Sequence, residues 1–150
     1  MDFVDDGKCF ACGRENPIGL KLGFRLDGEG RAVATFVPRD DLQGFSGVLH
    51  GGIVCALMDE AMAWALILRG KLAVTVSLAV RFRKPVLIGG QVTVTGEVVK
   101  SGSKRHMLRA EIRDTAGELA AEAEGTFLVV SELEQDVAAS GAGVGPLERG

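Results

Sequence analysis

From Ile53 to Leu68 the chain is apolar at nearly every position, and its only charged residues there are Asp59 and Glu60. A helix that is hydrophobic all round is a buried helix. The run opens on Gly51-Gly52 and closes on Arg69-Gly70, which predicts a helix from Gly52 to Arg69 with Gly70 as its C-terminal stop. On both sides of it the hydrophobic period changes to two. Leu20-Lys21-Leu22-Gly23-Phe24-Arg25-Leu26 has the alternation of a half-buried strand. Asp27-Gly28-Glu29-Gly30 is a hairpin turn, and Ala32 to Val37 is the returning strand, stopped by Pro38. After the helix, Val74, Val76, Leu78, Val80 and Phe82 fall on one face of a strand, and Thr75, Ser77, Ala79, Arg81 and Arg83 on the other. Pro85 ends that strand. Further strands are predicted at Val92–Val98, His106–Arg113 and Leu119–Val130, separated by turns at Ser101-Gly102-Ser103 and at 114–117.

The order is thus two strands, one long helix and a meander of four strands. An antiparallel sheet with a single helix buries that helix in its concave face, an α+β arrangement. One sheet face cannot cover a helix that is apolar all round, so a second subunit is expected on the other side. Residues 1–19, broken by Gly7, Gly13, Pro17 and Gly19, are expected to be irregular. Residues 20–130 form the folded domain. Residues 131–150, rich in Ala, Gly and acids, are expected to be a flexible tail.

A length of 150 residues suits one domain, and 47% hydrophobic residues suffice for its core. A net charge of -3 gives no reason to expect nucleic-acid binding, and a chain with no Tyr and a single Trp is poorly equipped to stack on RNA bases. The N-terminus lacks the basic-then-apolar pattern of a signal peptide. The apolar helix is short for a bilayer and carries two acids near its middle. A soluble, cytoplasmic protein without membrane contact is expected. Three cysteines give no disulfide framework.

The chemistry concentrates in the helix. After two glycines its first-turn N–H groups are unshielded by side chains and suited to a developing negative charge. A carboxylate within the apolar run is costly unless it is paired or has a task. Two His residues far apart offer no convincing metal site. Cys9-x-x-Cys12 suggests zinc or redox chemistry, but no second ligand pair accompanies it and His106 is a distant candidate, so packing is its expected role. Cys55 is expected in the core by its helical spacing.

This element order, His50-Gly51-Gly52, the lead-in Gly47-Val48-Leu49, and Asp59 nine residues after the His together resemble the hotdog-fold acyl-CoA thioesterases of the 4-hydroxybenzoyl-CoA thioesterase superfamily, in the PaaI-like branch. Cys9-Phe10-Ala11-Cys12-Gly13 followed by Asn16-Pro17-Ile18-Gly19-Leu20 looks like a recurrent start in one bacterial group of these proteins. The resemblance spans residues 9–130. It implies a hotdog fold and acyl-CoA thioester hydrolysis without a cofactor or metal, in a homodimer or dimer of dimers with shared active sites. By resemblance, Asp59 is the base or nucleophile and the Gly51 N–H polarises the carbonyl. His50 positions the carbonyl or thiol, and Thr75 orients the water with Ser77 beside it. One site would combine His50 and Gly51 of one chain with Asp59 and Thr75 of the other. PaaI-like enzymes often carry an Asn six residues before the His; this chain has Gly44 there, with Gln43 as the nearest substitute.

Gly52 belongs to the same tight helix entry and is a candidate substrate contact. Arg81 and Arg83 are the preferred partners for coenzyme A phosphates. Glu60 is expected to be structural or a rim residue. Two other functions remain open at this level. One is a non-catalytic acyl-CoA-binding hotdog protein, a sensor or regulatory module. The other is a hydratase, disfavoured because His50 precedes the helix and lies more than two turns from Asp59.

Overall fold

The computed structural model describes residues 3–133. Strand β1 is Arg25–Leu26, β2 Ala32–Phe36, helix α1 Gly51–Ile67, β3 Lys71–Phe82, β4 Val92–Ser101, β5 Arg105–Arg113 and β6 Leu119–Glu132, with a short 3-10 turn at Asp40–Leu42. The strands form one antiparallel sheet in the order β1-β2-β4-β5-β6-β3. This is the α+β, sheet-around-helix arrangement that the hydrophobic pattern predicts. Alternation places His106, Leu108, Ala110 and Ile112 of β5 inside, with Arg105, Met107 and Arg109 outside. Gly70, in the left-handed region at φ 76°, stops the helix and donates its N–H to Ile67 O at 2.9 Å.

Three predicted features come out differently. The meander has three strands, β4-β5-β6, and β3 lies at the far edge against β6. A β3–β4 hairpin would need a tight turn, whereas residues 83–91 are long enough to cross three strand spacings of about 4.8 Å each. The first predicted strand pairs with β2 only at Arg25 and Leu26. Lys21, at φ 56°, breaks it, and the N–H groups of Leu20 and Leu22 bond instead to Phe10 O and Ala11 O. The alternation still reports burial as far as Phe24, since Leu20, Leu22 and Phe24 are core residues, whereas Leu26 at the edge is exposed. The last strand continues to Glu132, which pairs with Lys71 at 3.0 Å; the rest of the predicted tail lies outside the described residues.

Two glycines let the helix settle on the sheet. A Cβ at Gly96 would stand 2.2 Å from Ala61 O and 2.9 Å from Met62 N, both helix backbone, and a Cβ at Gly125 would meet Phe127 and Met62. Backbone cannot yield as a side-chain tip can. Gly96→Ala is therefore expected to lower unfolding stability by about 2–3 kcal/mol, read as a shift of the urea midpoint. An unchanged midpoint would mean that α1 and β4 do not touch there.

The helix is not covered all round. Val54, Leu57, Met58, Ala61, Met62, Ala65 and Leu66 are buried, while Gly52, Cys55, Ala56, Asp59 and Ala63 form a stripe with solvent access. Cys55 thus sits on this stripe rather than in the core.

Candidate functional site

The helix entry is built by the loop before it. Leu49 N–H donates to Val86 O at 2.8 Å and His50 N–H to Leu42 O at 3.0 Å, which fixes the chain as it turns into α1. His50 is the N-cap, in extended conformation at φ -58° and ψ 134°. Its carbonyl accepts from Ile53 and Val54, at 2.9 and 3.1 Å, and its ring Nδ1 accepts from Gly52 N–H at 2.9 Å. An accepting Nδ1 puts the proton of the neutral ring on Nε2. The Gly51 N–H is then the first-turn donor with no acceptor among the described residues. It points from the positive end of the helix dipole. Gly52, a predicted substrate contact, has its N–H committed to the imidazole.

Beside this entry lies an apolar cleft of about 520 Å³ lined by Phe45, Val48, His50, Gly51, Phe82 and Val86, among others. Gly44 is also in its wall, with space for a Cβ 3.4 Å from the His50 ring. Gln43 is not brought to the cleft. Its Oε1 accepts from Gly47 N–H at 3.0 Å and ties the loop instead.

Asp59 stands on the half-exposed stripe of α1, and Thr75 Oγ1 donates to its Oδ1 at 2.6 Å. The structure thus brings Asp59 and Thr75 together, and His50 with Gly51, as two separate pairs. Nine residues along an α-helix amount to about 13.5 Å, too far for one thioester carbonyl to meet both pairs of the same chain.

The remaining predicted contacts are redistributed by a bulge. Thr75 pairs with Phe127 and Ser77 with Thr126, so Val76 is an extra residue. Phe127 is core, which puts Thr75 on the helix side, and beyond the bulge the faces exchange. Leu78, Val80 and Phe82 now join Thr75 on the inner face, while Ser77, Ala79 and Arg81 turn outward opposite Thr126, Glu124 and Glu122. The expectation that Thr75, Ser77, Arg81 and Arg83 share one face is therefore corrected. Arg83 is ion-paired with Glu122 at 2.8 Å on the outer surface.

Glu60 faces away from Thr75. Its Oε1 accepts from the Trp64 indole N–H at 3.1 Å and lies 3.8 Å from Cys9 Sγ. Burial pushes its carboxyl up to about 7, against the lowering effect of contacts with Cys12 and Trp64. The Cys9 thiol is brought down to about 5, first by the Cys12 thiol, with the backbone N–H groups of Cys12, Ala11 and Gly13 assisting and burial opposing. Cys12 is raised, by the same contact with Cys9 and by burial. This cluster is the feature that sequence reasoning missed. The i,i+4 spacing of Glu60 and Trp64 was a visible signal, but the approach of Cys9 and Cys12 across the fold was not. His106 is buried in β5 and is not part of it.

A family model described as thioesterase superfamily matches residues 46–121, from the loop before the helix into β6. The chain belongs to the thioesterase superfamily. Two mammalian relatives share the sequence pattern of this superfamily member. Bovine acyl-coenzyme A thioesterase THEM4 is 27% identical over 127 residues, covering 83% of the chain and 52% of that protein. Mouse acyl-coenzyme A thioesterase THEM5 is 30% identical over 109 residues, covering 71% of the chain and 44% of that protein. The chain thus spans about half the length of these two relatives. The E. coli PaaI protein from the phenylacetic acid degradation operon superposes with a TM-score of 0.70 at 24% identity, over 76% of this chain and 83% of that one. That likeness shows the shared fold, the hotdog arrangement of a sheet around one helix. The chemistry that goes with the superfamily is thioester hydrolysis. Among the described residues no helix is long and apolar enough to cross a membrane.

Proposed function

We propose that this thioesterase-superfamily protein is an acyl-CoA thioesterase whose active site is shared between two copies of the chain. The observation that carries the reading is the 2.6 Å hydrogen bond from Thr75 Oγ1 to Asp59 Oδ1. It fixes a carboxylate on an accessible helix face and leaves Oδ2 to take a proton. Water adds to the thioester carbonyl carbon and gives its proton to Asp59. The carbonyl oxygen, now negative, is held by the Gly51 N–H and the helix N-terminus, an electrostatic contribution of roughly 3–4 kcal/mol. The C–S bond then breaks, and the leaving thiolate takes the proton from the Asp59 carboxyl. The free Nε2–H of His50 orients the carbonyl or the thiol side. The apolar cleft at Phe45, Phe82 and Val86 receives the acyl chain or the pantetheine arm. The acyl-CoA substrate class is supported by the names of the two mammalian relatives.

The separation of His50-Gly51 from Asp59 along one helix calls for a partner. Two α1 helices packed antiparallel across a two-fold axis near Val54 and Cys55 bring Gly51 of one chain to Asp59 of the other. The stripe Gly52-Cys55-Ala56-Asp59-Ala63 has the small side chains for such an approach. Strand β3 supports the same pairing. It is a 12-residue edge strand, exposed from Thr75 to Ala79, and offers an unpaired ladder with apolar Val76 and Leu78 on it.

The test is thiol release from a panel of acyl-CoAs, read together with size-exclusion mass. Wild type is expected to turn over as a dimer or a higher even assembly. Leu78→Asp is expected to be a folded monomer by circular dichroism, without turnover. A monomer that hydrolyses at the wild-type rate would exclude the shared site.

A further inference from the structure

We propose that Cys9, Cys12 and Glu60 form a zinc site that staples the N-terminal segment to the central helix. Their ligand atoms, two sulfurs and a carboxylate oxygen, all lie within 4.8 Å of one another. A tetrahedral zinc with Zn–S of about 2.3 Å and Zn–O of about 2.1 Å holds its sulfur and oxygen about 3.6 Å apart. Cys9 Sγ and Glu60 Oε1 are 3.8 Å apart. The donors are therefore near coordination spacing before any ion draws them in.

The surroundings are those of a built site. The Cys9-x-x-Cys12-Gly13 turn is closed by the Gly13 N–H on Cys9 O at 2.8 Å. A Cβ on Gly13 would stand 2.4 Å from Cys9 N and 2.4 Å from Gly7 O, so only glycine lets the turn close this tightly. The segment is anchored on both sides, by Glu15 N–H to Gly7 O and by Leu20 N–H to Phe10 O. Across from it, the Trp64 indole N–H holds the Glu60 carboxylate in place. Metal ligands are commonly oriented by an outer hydrogen bond of this kind.

Charge gives the second argument. Glu60 has no Lys, Arg or His partner among the described residues; its neighbours are an indole and two thiols. A carboxylate withdrawn from water needs a compensating charge. A disulfide between Cys9 and Cys12 would leave it without one, whereas a divalent cation satisfies all three donors at once. Two thiolates select a soft or borderline ion over magnesium or calcium, and the added carboxylate suits zinc. A small exogenous ligand or water completes the tetrahedron. Glu60 is the residue next to Asp59, turned about 100° around α1 from it, so the site is distinct from the Thr75 hydrogen bond of Asp59, and its role is to hold the N-terminal segment.

The full-length protein is reduced, stripped with a chelator and titrated with cobalt(II) as a spectroscopic stand-in for zinc. The wild type is expected to develop thiolate-to-cobalt charge-transfer absorption and the intense d–d bands of a tetrahedral ion, saturating at one ion per chain and abolished by added zinc. Cys9→Ser and Glu60→Gln are each expected to weaken binding by more than about a hundredfold, beyond the loss that an outer partner causes. X-ray absorption of the zinc-loaded wild type, which needs no variant to fold, is expected to show two sulfur scatterers with oxygen completing the shell. Absence of the charge-transfer band overturns the proposal. So does wild-type affinity in a folded Glu60→Gln variant, a sulfur count other than two, or a Cys9–Cys12 disulfide that forms in the presence of zinc.

Discussion

Asp59→Ala is expected to lower kcat for acyl-CoA hydrolysis by about a thousandfold, with KM changed far less, in thiol-release assays at saturating substrate. General-base assistance is worth about 10²–10⁴, so the middle of that range corresponds to roughly 4 kcal/mol of transition-state stabilisation. Among the described residues Asp59 makes no ion pair, and its one side-chain hydrogen bond comes from Thr75, so its removal leaves the core untouched. Asp59→Asn separates chemistry from packing. It keeps an oxygen that accepts from Thr75 Oγ1 but cannot take a proton from water. Equal losses in the two variants mean that proton transfer is the role. Retained activity in Asp59→Asn would mean that the side chain only orients the nucleophile. Unchanged turnover in both would remove Asp59 from the mechanism.

The helix was legible because its signal is local. Sixteen nearly apolar positions with two charges predict a helix packed into the sheet, though not the accessible stripe along it, and His50-Gly51-Gly52 marks its entry at a turn whose donors can be counted. The pairing of Asp59 with Thr75 came from the family resemblance; the alternation alone offered Thr75 and Ser77 on equal terms, and the hydrogen bond is made by Thr75. What failed depends on partners distant in sequence. A bulge is a property of two strands in register, so nothing in residues 74–82 alone says that Val76 is the extra residue. Every face assignment before it is consequently reversed relative to those after it, which is why Arg81 and Arg83 leave the side of Thr75. Lys21 shows the converse. Alternation along 20–24 reports which residues are buried, but it cannot say whether the backbone bonds to β2 or to the segment at 10–11. Cys9 and Glu60 are separated by 51 positions, and only the wrapping of the N-terminal segment over α1 brings them together.

Gly51→Pro is expected to reduce kcat by about 10²–10³ while leaving thermal stability equal or higher. Removing one oxyanion donor costs about 2.7–4 kcal/mol of transition-state stabilisation. Proline removes only the N–H, and here that group has no acceptor among the described residues. The substitution suits the backbone. Gly51 is the first residue of α1, the helical position that proline favours. His50, at φ -58° and ψ 134°, already has the extended conformation required before a proline. Among the described residues a Cβ at Gly51 meets only Phe82, at 3.6 Å, an ordinary contact. Loss of backbone freedom in the unfolded chain adds about 0.4–1 kcal/mol of stability. Activity and stability thus move in opposite directions, which a merely damaged fold cannot produce. The same variant tests the shared site. Co-expressed with Asp59→Ala, it forms mixed dimers in which one site has Gly51 from one chain and Asp59 from the other, both intact. Turnover well above that of either parent is expected. If the mixture stays as inactive as its parents, the oxyanion donor and the carboxylate belong to the same chain, and the antiparallel pairing of α1 helices is wrong.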